Sequence, residues 1–131
     1  MKSTEKISNE NGNWYLAEII IKCEPVKRNE KQDLRRVTTW GNNHLVKANS
    51  PENAFDKAQK LGEENEYKFT NTDKVEMEWL FVGIGDLLPI YEDIEDGAEL
   101  MWTDYGYISD RRTKRMAYSK KEIIAGIKPK S

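Results

Sequence analysis

Residues 14–24 alternate well enough between two faces to predict a β-strand that faces a core on one side. Residues 34–40 predict a second strand that pairs with the first as a hairpin. The run Gly41-Asn42-Asn43 predicts a turn or bulge, because glycine and asparagine tolerate positive φ. Residues 44–48 then resume the second strand.

The segment Ser50-Pro51-Glu52 has the features of a helix N-terminus. Serine caps free backbone N–H groups, proline is preset for the first turn, and glutamate suits the positive end of the helix dipole. Ala54, Ala58 and Leu61 follow at helical spacing, and Gly62 is predicted to end the helix in a left-handed conformation. The sequence therefore predicts a helix of about three turns that packs small residues onto a sheet.

The second half of the chain predicts three more strands and one short helix. Residues 67–70 predict a short strand, residues 74–84 the longest strand, and residues 98–102 a last strand. A serine and a glutamate in capping-box spacing predict a helix over residues 120–125.

The resulting element order is β-β-α-β-β-β, followed by the short helix. Hairpin connections around one helix predict an α+β fold, in which a mostly antiparallel sheet packs on one main helix. We expect residues 1–13 to form a flexible polar leader, residues 14–104 the α+β domain, and residues 105–131 a basic tail with the short helix.

Composition narrows the classes of protein to consider. The 131 residues suffice for one domain with its own core, and the four Trp, six Tyr and three Phe argue against disorder. The net charge of -2 hides an asymmetry, because residues 75–101 carry eight carboxylates and no Lys or Arg, whereas residues 111–130 carry eight basic residues and one carboxylate. This balance argues against double-stranded DNA as a partner, since DNA-binding domains are usually basic.

The single cysteine, Cys23, excludes a disulfide within the chain and indicates a reducing compartment. The first 13 residues lack the apolar region of a signal peptide, and no apolar run approaches the roughly 18–20 residues that a membrane span needs. We therefore expect a cytoplasmic protein that does not engage a membrane.

Several segments together carry a family resemblance: an opening strand, a strand followed by a helix start, and a long second half. They are Trp14-Tyr15, Leu45 to Ala48, Ser50 to Ala54, Lys57-Ala58, Glu78-Trp79, Phe81 to Gly83, Asp86-Leu87 and Asp96 to Leu100. In these residues the chain resembles an uncharacterised bacterial family, domain of unknown function 4288, over roughly residues 14–102. The family supplies no established activity and no catalytic residues, and the resemblance implies a bacterial or phage origin. The basic tail lies outside the resemblance.

The residues offer little catalytic equipment. His44 is the only histidine and has no metal ligand at helical or hairpin spacing, and Cys23 is the only thiol. Glu76 and Glu78 share one face of a predicted strand, where we favour a solvated pair over a paired-carboxylate hydrolase. The glycine pair at residues 83–85 lacks the following helix that a phosphate-binding loop needs. We therefore predict no enzyme, no cofactor and no metal site.

The basic tail holds a candidate binding site. Its members are aromatic and arginine side chains, which suit stacking and phosphate contacts with a nucleotide or a single strand of nucleic acid. They are Tyr105, Tyr107, Arg111, Arg112 and Arg115. The alternative is a solvated tail that pairs with the acidic half of the chain, and we favour that alternative.

Two further surfaces are candidates for partner binding. Trp40, beside a glycine, and His44, at the resumption of a strand, are predicted to contact a ligand or partner, because exposed tryptophans dominate interface energetics. The carboxylates of Glu92, Asp93, Glu95 and Asp96 form a candidate acidic surface for a protein partner.

We therefore hypothesise a non-enzymatic small binding module that forms homo-oligomers. One alternative is an immunity or antagonist protein directed against a toxin or a defence system, whose acidic surface covers a basic site. Another is a protein that sequesters a nucleotide signal, a small anionic ligand, through its basic tail. These hypotheses name three partners: a second copy, another protein, or a small anion.

Overall fold

The computed structural model describes residues 12–29, 31 and 34–127. Contacts divide the chain into two compact units, residues 1–101 and residues 102–131. Most of the predicted leader lies outside the described residues. The elements are β1 (Asn13–Pro25), β2 (Thr38–Ala48), α1 (Pro51–Glu64), β3 (Tyr67–Thr70), β4 (Glu76–Pro89), α2 (Asp110–Arg115) and α3 (Lys120–Ala125).

The first unit is one antiparallel sheet with α1 packed on one face. Its strand order is β2-β1-β4-β3, so β1 and β4 are central and the other two strands are edges. The predicted hairpin of the first two strands is confirmed, and so is the α+β class. In the second unit, the predicted capping box begins α3 as expected, while α2 was not predicted.

The start of α1 forms for the local reasons expected from the sequence. The Ser50 side chain accepts a hydrogen bond from the backbone N–H of Asn53 at 3.1 Å, and a proline occupies the first turn. Ala54 and Ala58 are completely buried and form the core together with Tyr15 and Val46 of the sheet. Small side chains on the helix allow this close approach to the sheet.

The prediction that Gly62 ends α1 is wrong. The helix continues to Glu64, and its C-cap Asn65 has a φ of -95°, which is not left-handed. Gly62 is buried, and a Cβ placed there would overlap the ring of Phe81 in β4. The glycine therefore allows α1 to pack closely on the sheet. Rules that use only neighbouring residues in the sequence do not predict such a contact.

The predicted turn at Gly41-Asn42-Asn43 is also wrong. β2 runs through these residues without interruption, and its register with β1 is regular from Thr38 to Ala48. Residues 34–37 precede the strand. A Cβ at Gly41 would meet the carboxylate of Glu18 on β1, so the glycine here leaves room for a neighbouring side chain.

The irregularity lies in β4 instead. This strand continues past Gly83 and Gly85 to Pro89, five residues beyond the predicted end. Its register with β1 shifts twice. One shift lies between the partners of Glu18 and Ile19, and the other lies between the partners of Ile20 and Ile21. Such bulges reverse the alternation of faces, so Ile84 packs against the core on the α1 side although strict alternation places it on the other side. The predicted strand at residues 98–102 does not form.

A charge cluster occupies the end of β1 on the face opposite α1. The carboxylate of Glu24 is only 2% exposed and lies 3.0 Å from Lys22 Nζ, 3.0 Å from Arg28 Nε and 3.2 Å from Arg35 Nη2. Arg28 also donates to Glu78, the cross-strand neighbour of Glu24, at 2.6 Å. This Glu24 cluster ties the segment after β1 to the sheet.

The electrostatics of Glu24 favour its charged form. Burial alone would raise the pKa of its carboxyl, but hydrogen bonds from Lys22 and Arg35 and the positive charges of Lys22 and Arg28 outweigh burial, so that the pKa is lowered. Removing one member of a buried ion pair leaves the others uncompensated and usually costs about 3 kcal/mol or more.

We therefore predict that Glu24→Gln lowers the free energy of unfolding by about 3 kcal/mol at pH 7. Because the folded pKa is lowered, the stabilisation is complete above the unfolded value of about 4.3 and is lost as the pH falls through the folded pKa. Urea denaturation at pH 7, 5, 4 and 3 should show the two proteins converging only below about pH 4.3. Glu64→Gln, whose exposed carboxylate lies 4.0 Å from Lys60, is the control and should change little. A difference that persists unchanged at pH 3 would contradict this account.

Candidate functional site

The sheet face on which α1 packs is more completely buried at one end than at the other. Along β1, Tyr15, Ala17 and Ile19 are 4% exposed or less, whereas Ile21 and Cys23 farther along the same face are only half-buried. Beyond Ile19, the end of α1 still packs at Gly62 against Phe81, the β4 partner of Ile21, but this half of the face receives less cover than the first half.

Aromatic side chains gather on this less buried half. Trp40 of β2 and Trp79 of β4 reach across β1, and their ring centroids lie 4.8 Å apart at an interplanar angle of 45°. Tyr67 and Phe69 of β3 extend the same face, with centroids 5.9 Å apart. We call Trp40, Tyr67, Phe69 and Trp79 the aromatic patch.

The aromatic patch is accessible. Trp40 is 55% exposed and Tyr67 is 57% exposed, while Trp79 and Phe69 are half-buried. Rings of this size bury about 150–250 Å² each when they are covered, with little loss of side-chain entropy. The arrangement is suited to binding an apolar surface. The exposed rings of Trp40 and Tyr67 are held in place by contact with the rings of Trp79 and Phe69.

His44 and Cys23 do not form a catalytic pair. On β2, His44 lies opposite Ala17, and Thr38 lies opposite Cys23. Six residues of register therefore separate the imidazole from the thiol, which is about 20 Å along the strands. Burial, and secondarily the charge of Glu24, raises the pKa of the Cys23 thiol and makes it a poorer nucleophile.

A small pocket lies on the opposite face of the sheet. Asn43, Glu18 and Asp86 stand side by side on three adjacent strands and form its polar wall. Its volume is about 110 Å³, well below the roughly 300–1,000 Å³ of most ligand pockets. The apolar lining consists of Leu16, Leu88 and Met101. Among the described residues, no group of three or more His, Cys, Asp or Glu side chains is placed to hold a metal ion.

The candidate residues of the basic tail lie in the second unit. Tyr105 and Tyr107 are exposed and precede α2, the six-residue helix that carries Arg111, Arg112 and Arg115. The hydroxyl of Ser109 caps this helix by accepting from the Arg112 N–H at 3.2 Å. The structure thus gathers the three arginines on one exposed helix, and their proposed role stays a prediction.

The candidate acidic surface follows β4 in a segment without helix or strand. Asp93, Glu95 and Asp96 are exposed, and Glu92 is half-buried. The backbone N–H of Ala98 donates to the carbonyl of Glu95 at 3.0 Å and closes a turn there. The role of these four carboxylates as a partner surface also stays a prediction.

Sequence reasoning missed two groupings. It identified Trp40 as exposed but did not pair it with Trp79, because the two residues meet only through the strand order of the sheet. It also did not connect Arg28 and Arg35 with Glu24, although both form ion pairs with its carboxylate. The signal available for the second grouping was Glu24 itself, a charged residue at the end of a mostly apolar strand.

The chain belongs to the family described as Domain of unknown function (DUF4288), which matches residues 14–102. This confirms the resemblance seen in the sequence. No curated protein and no solved structure matches the chain significantly.

In the part of the chain that the structure describes, no helix is long and apolar enough to cross a membrane.

The raised pKa of Cys23 generates a test of its chemistry. Alkylation of the native protein by iodoacetamide at pH 7 should be slower than alkylation of the same protein in urea, because only the thiolate reacts. The rate in the native protein should rise through a midpoint above the usual value of about 8.5. Rapid alkylation at pH 7 would instead identify Cys23 as an activated nucleophile and reopen the case for an enzyme.

Proposed function

We propose that this DUF4288 protein is a non-enzymatic interaction module that binds a second copy of itself and buries Trp40 of the aromatic patch in doing so. The observation that carries the proposal is Trp40, a tryptophan more than half exposed that packs at a tilt against Trp79 at the less buried end of the sheet. Exposed aromatic clusters of this kind commonly mark protein interfaces.

Burial of Trp40 supplies part of the free energy for a reversible dimer. Covering its exposed part removes roughly 130 Å² of mostly apolar surface per copy from water, worth about 3 kcal/mol. Two copies double this figure to about 6 kcal/mol, which lies within the estimated 4–15 kcal/mol cost of association. Backbone or further side-chain contacts must therefore add to this burial to give a stable dimer.

The geometry around the reactive side chains also supports binding over catalysis. His44 and Cys23 are about 20 Å apart along the strands, and the Cys23 pKa is raised. Glu78, one of the two carboxylates considered for hydrolysis, is engaged by Arg28. These residues are arranged as parts of the sheet and of the Glu24 cluster.

We predict that the full-length chain sediments as a dimer at micromolar concentration and that Trp40→Ala raises the dissociation constant at least tenfold. Analytical ultracentrifugation over a concentration series measures this directly. The matched control is Trp102→Ala, since Trp102 is 73% exposed but lies in the second unit, outside the patch. Circular dichroism checks that both variants remain folded.

A wild-type chain that stays monomeric at high concentration would contradict the proposal. So would a Trp40→Ala protein that dimerises as tightly as the wild type. Native mass spectrometry of the same samples adds a further discrimination. A monomer that carries a small anionic mass, lost on Arg111→Ala and Arg112→Ala substitution, would favour nucleotide sequestration by the basic tail instead.

A further inference from the structure

The outer edge of β2 is a long, unpaired strand edge. β2 pairs with β1 on one side, and no described strand pairs with its other side. Its 11 residues span about 36 Å, and its register with β1 is regular from end to end. Such an edge presents a row of backbone donors and acceptors, which is a template for a further strand. At one end of this edge strand, Lys57 Nζ of α1 donates to the Lys47 carbonyl at 3.0 Å, and the residues from Thr38 to Val46 offer the template.

The other exposed edges of the sheet carry features that discourage pairing. β3 has only four residues. Beyond β3, the edge of β4 has two register shifts and ends in Pro89, and the carboxylate of Glu66 accepts the backbone N–H of Phe81 at 2.8 Å. Short strands, bulges and proline are the usual protections of an edge. β2 has no proline and only one charged residue, Lys47.

The geometry points to antiparallel pairing of β2 with β2 of a second copy, which joins two four-stranded sheets into one sheet of eight strands. This inference rests on the proposed self-association and specifies how it occurs. A strand that pairs with itself about a two-fold axis uses the same residues on both sides, so one surface serves both partners.

The length of β2 fixes the simplest register. Asn43 is the middle residue of Thr38–Ala48, so full-length pairing sets Asn43 against the second copy's Asn43. The single charge of the strand, Lys47, then lies opposite the second copy's Thr39, and no two like charges meet. Trp40 lies opposite the second copy's Val46, on the α1 side of the joined sheet.

This pairing also bears on the exposure of Trp40. Because the two strands run antiparallel, the end of β2 that α1 covers, at Val46 and Ala48, lies beside Trp40 of the other copy. Each copy thereby adds lateral cover to the other's Trp40, whereas Tyr67 and Phe69 lie on β3, at the far edge of the sheet.

The area buried is adequate for a reversible dimer. An edge about 36 Å long and about 10 Å wide contributes roughly 360 Å² per copy, and the exposed part of Trp40 adds roughly 130 Å². The total for both copies, about 1,000 Å², lies at the lower end of specific interfaces. The additional backbone hydrogen bonds supply the contribution that burial of Trp40 alone lacks.

Disulfide trapping of the full-length chain tests the register. Asn43→Cys should give a disulfide-linked dimer under mild oxidation, because directly opposed residues on antiparallel strands have Cβ atoms about 4.5–5.5 Å apart, close to disulfide geometry. Peptide mapping should show that the bond joins two Cys side chains at position 43. The control is Thr70→Cys, an exposed position on β3, which should stay monomeric on the same gel, as should the wild type with Cys23 alone.

A second variant tests the same register without a cross-link, because a disulfide can fail to form for reasons of local geometry. Asn43→Lys sets two like charges against each other on the two-fold axis and should raise the dissociation constant at least tenfold, whereas Asn43→Ser should not. A dimer in the ultracentrifuge that neither cross-links through position 43 nor weakens with Asn43→Lys overturns this inference and leaves the proposed self-association standing. A monomeric wild-type chain overturns both.

Discussion

The structure of the first unit depends on a mismatch of lengths between a helix and the strand it covers. The 14 residues of α1 span about 21 Å, whereas the 13 residues of β1 span about 43 Å. β1 is thus about twice as long as α1, and the most deeply buried part of the face on which α1 packs runs along β1 from Tyr15 to Ile19. Ala54 and Ala58 allow close packing in that part and form a small core with Tyr15 and Val46.

The two faces of the sheet meet this constraint in different ways at the less buried end. On the face opposite α1, the Glu24 cluster replaces apolar packing with ion pairs, and Arg28 and Arg35 bring the following segment against the sheet. On the α1 face, aromatic side chains lie at this end of the sheet. Trp40 packs against Trp79 and remains more than half exposed. The ion pairs of the Glu24 cluster form within one chain. The aromatic side chains leave apolar surface in water, which is the physical reason to infer a partner.

The sequence predicted the features that local chemistry decides. Ser50 begins α1 and a capping box begins α3, because each cap involves residues three positions apart. It failed where residues distant in sequence decide the outcome. Gly41 and Gly62 signal turns locally, yet one makes room for Glu18 and the other for Phe81. The aromatic patch and the Glu24 cluster depend on strand order and register, which alternation of residues does not specify.

The central claim is that the free edge of β2 is where a second copy adds its own strand. Hydrogen–deuterium exchange of the full-length chain, measured by mass spectrometry across a concentration series, tests it most directly. We expect the peptide containing residues 41–45 to become protected as concentration rises, since its outward backbone groups gain hydrogen bonds, while the edge strand β3 exchanges at a constant rate. Exchange in β2 that is independent of concentration while the protein dimerises would contradict the account.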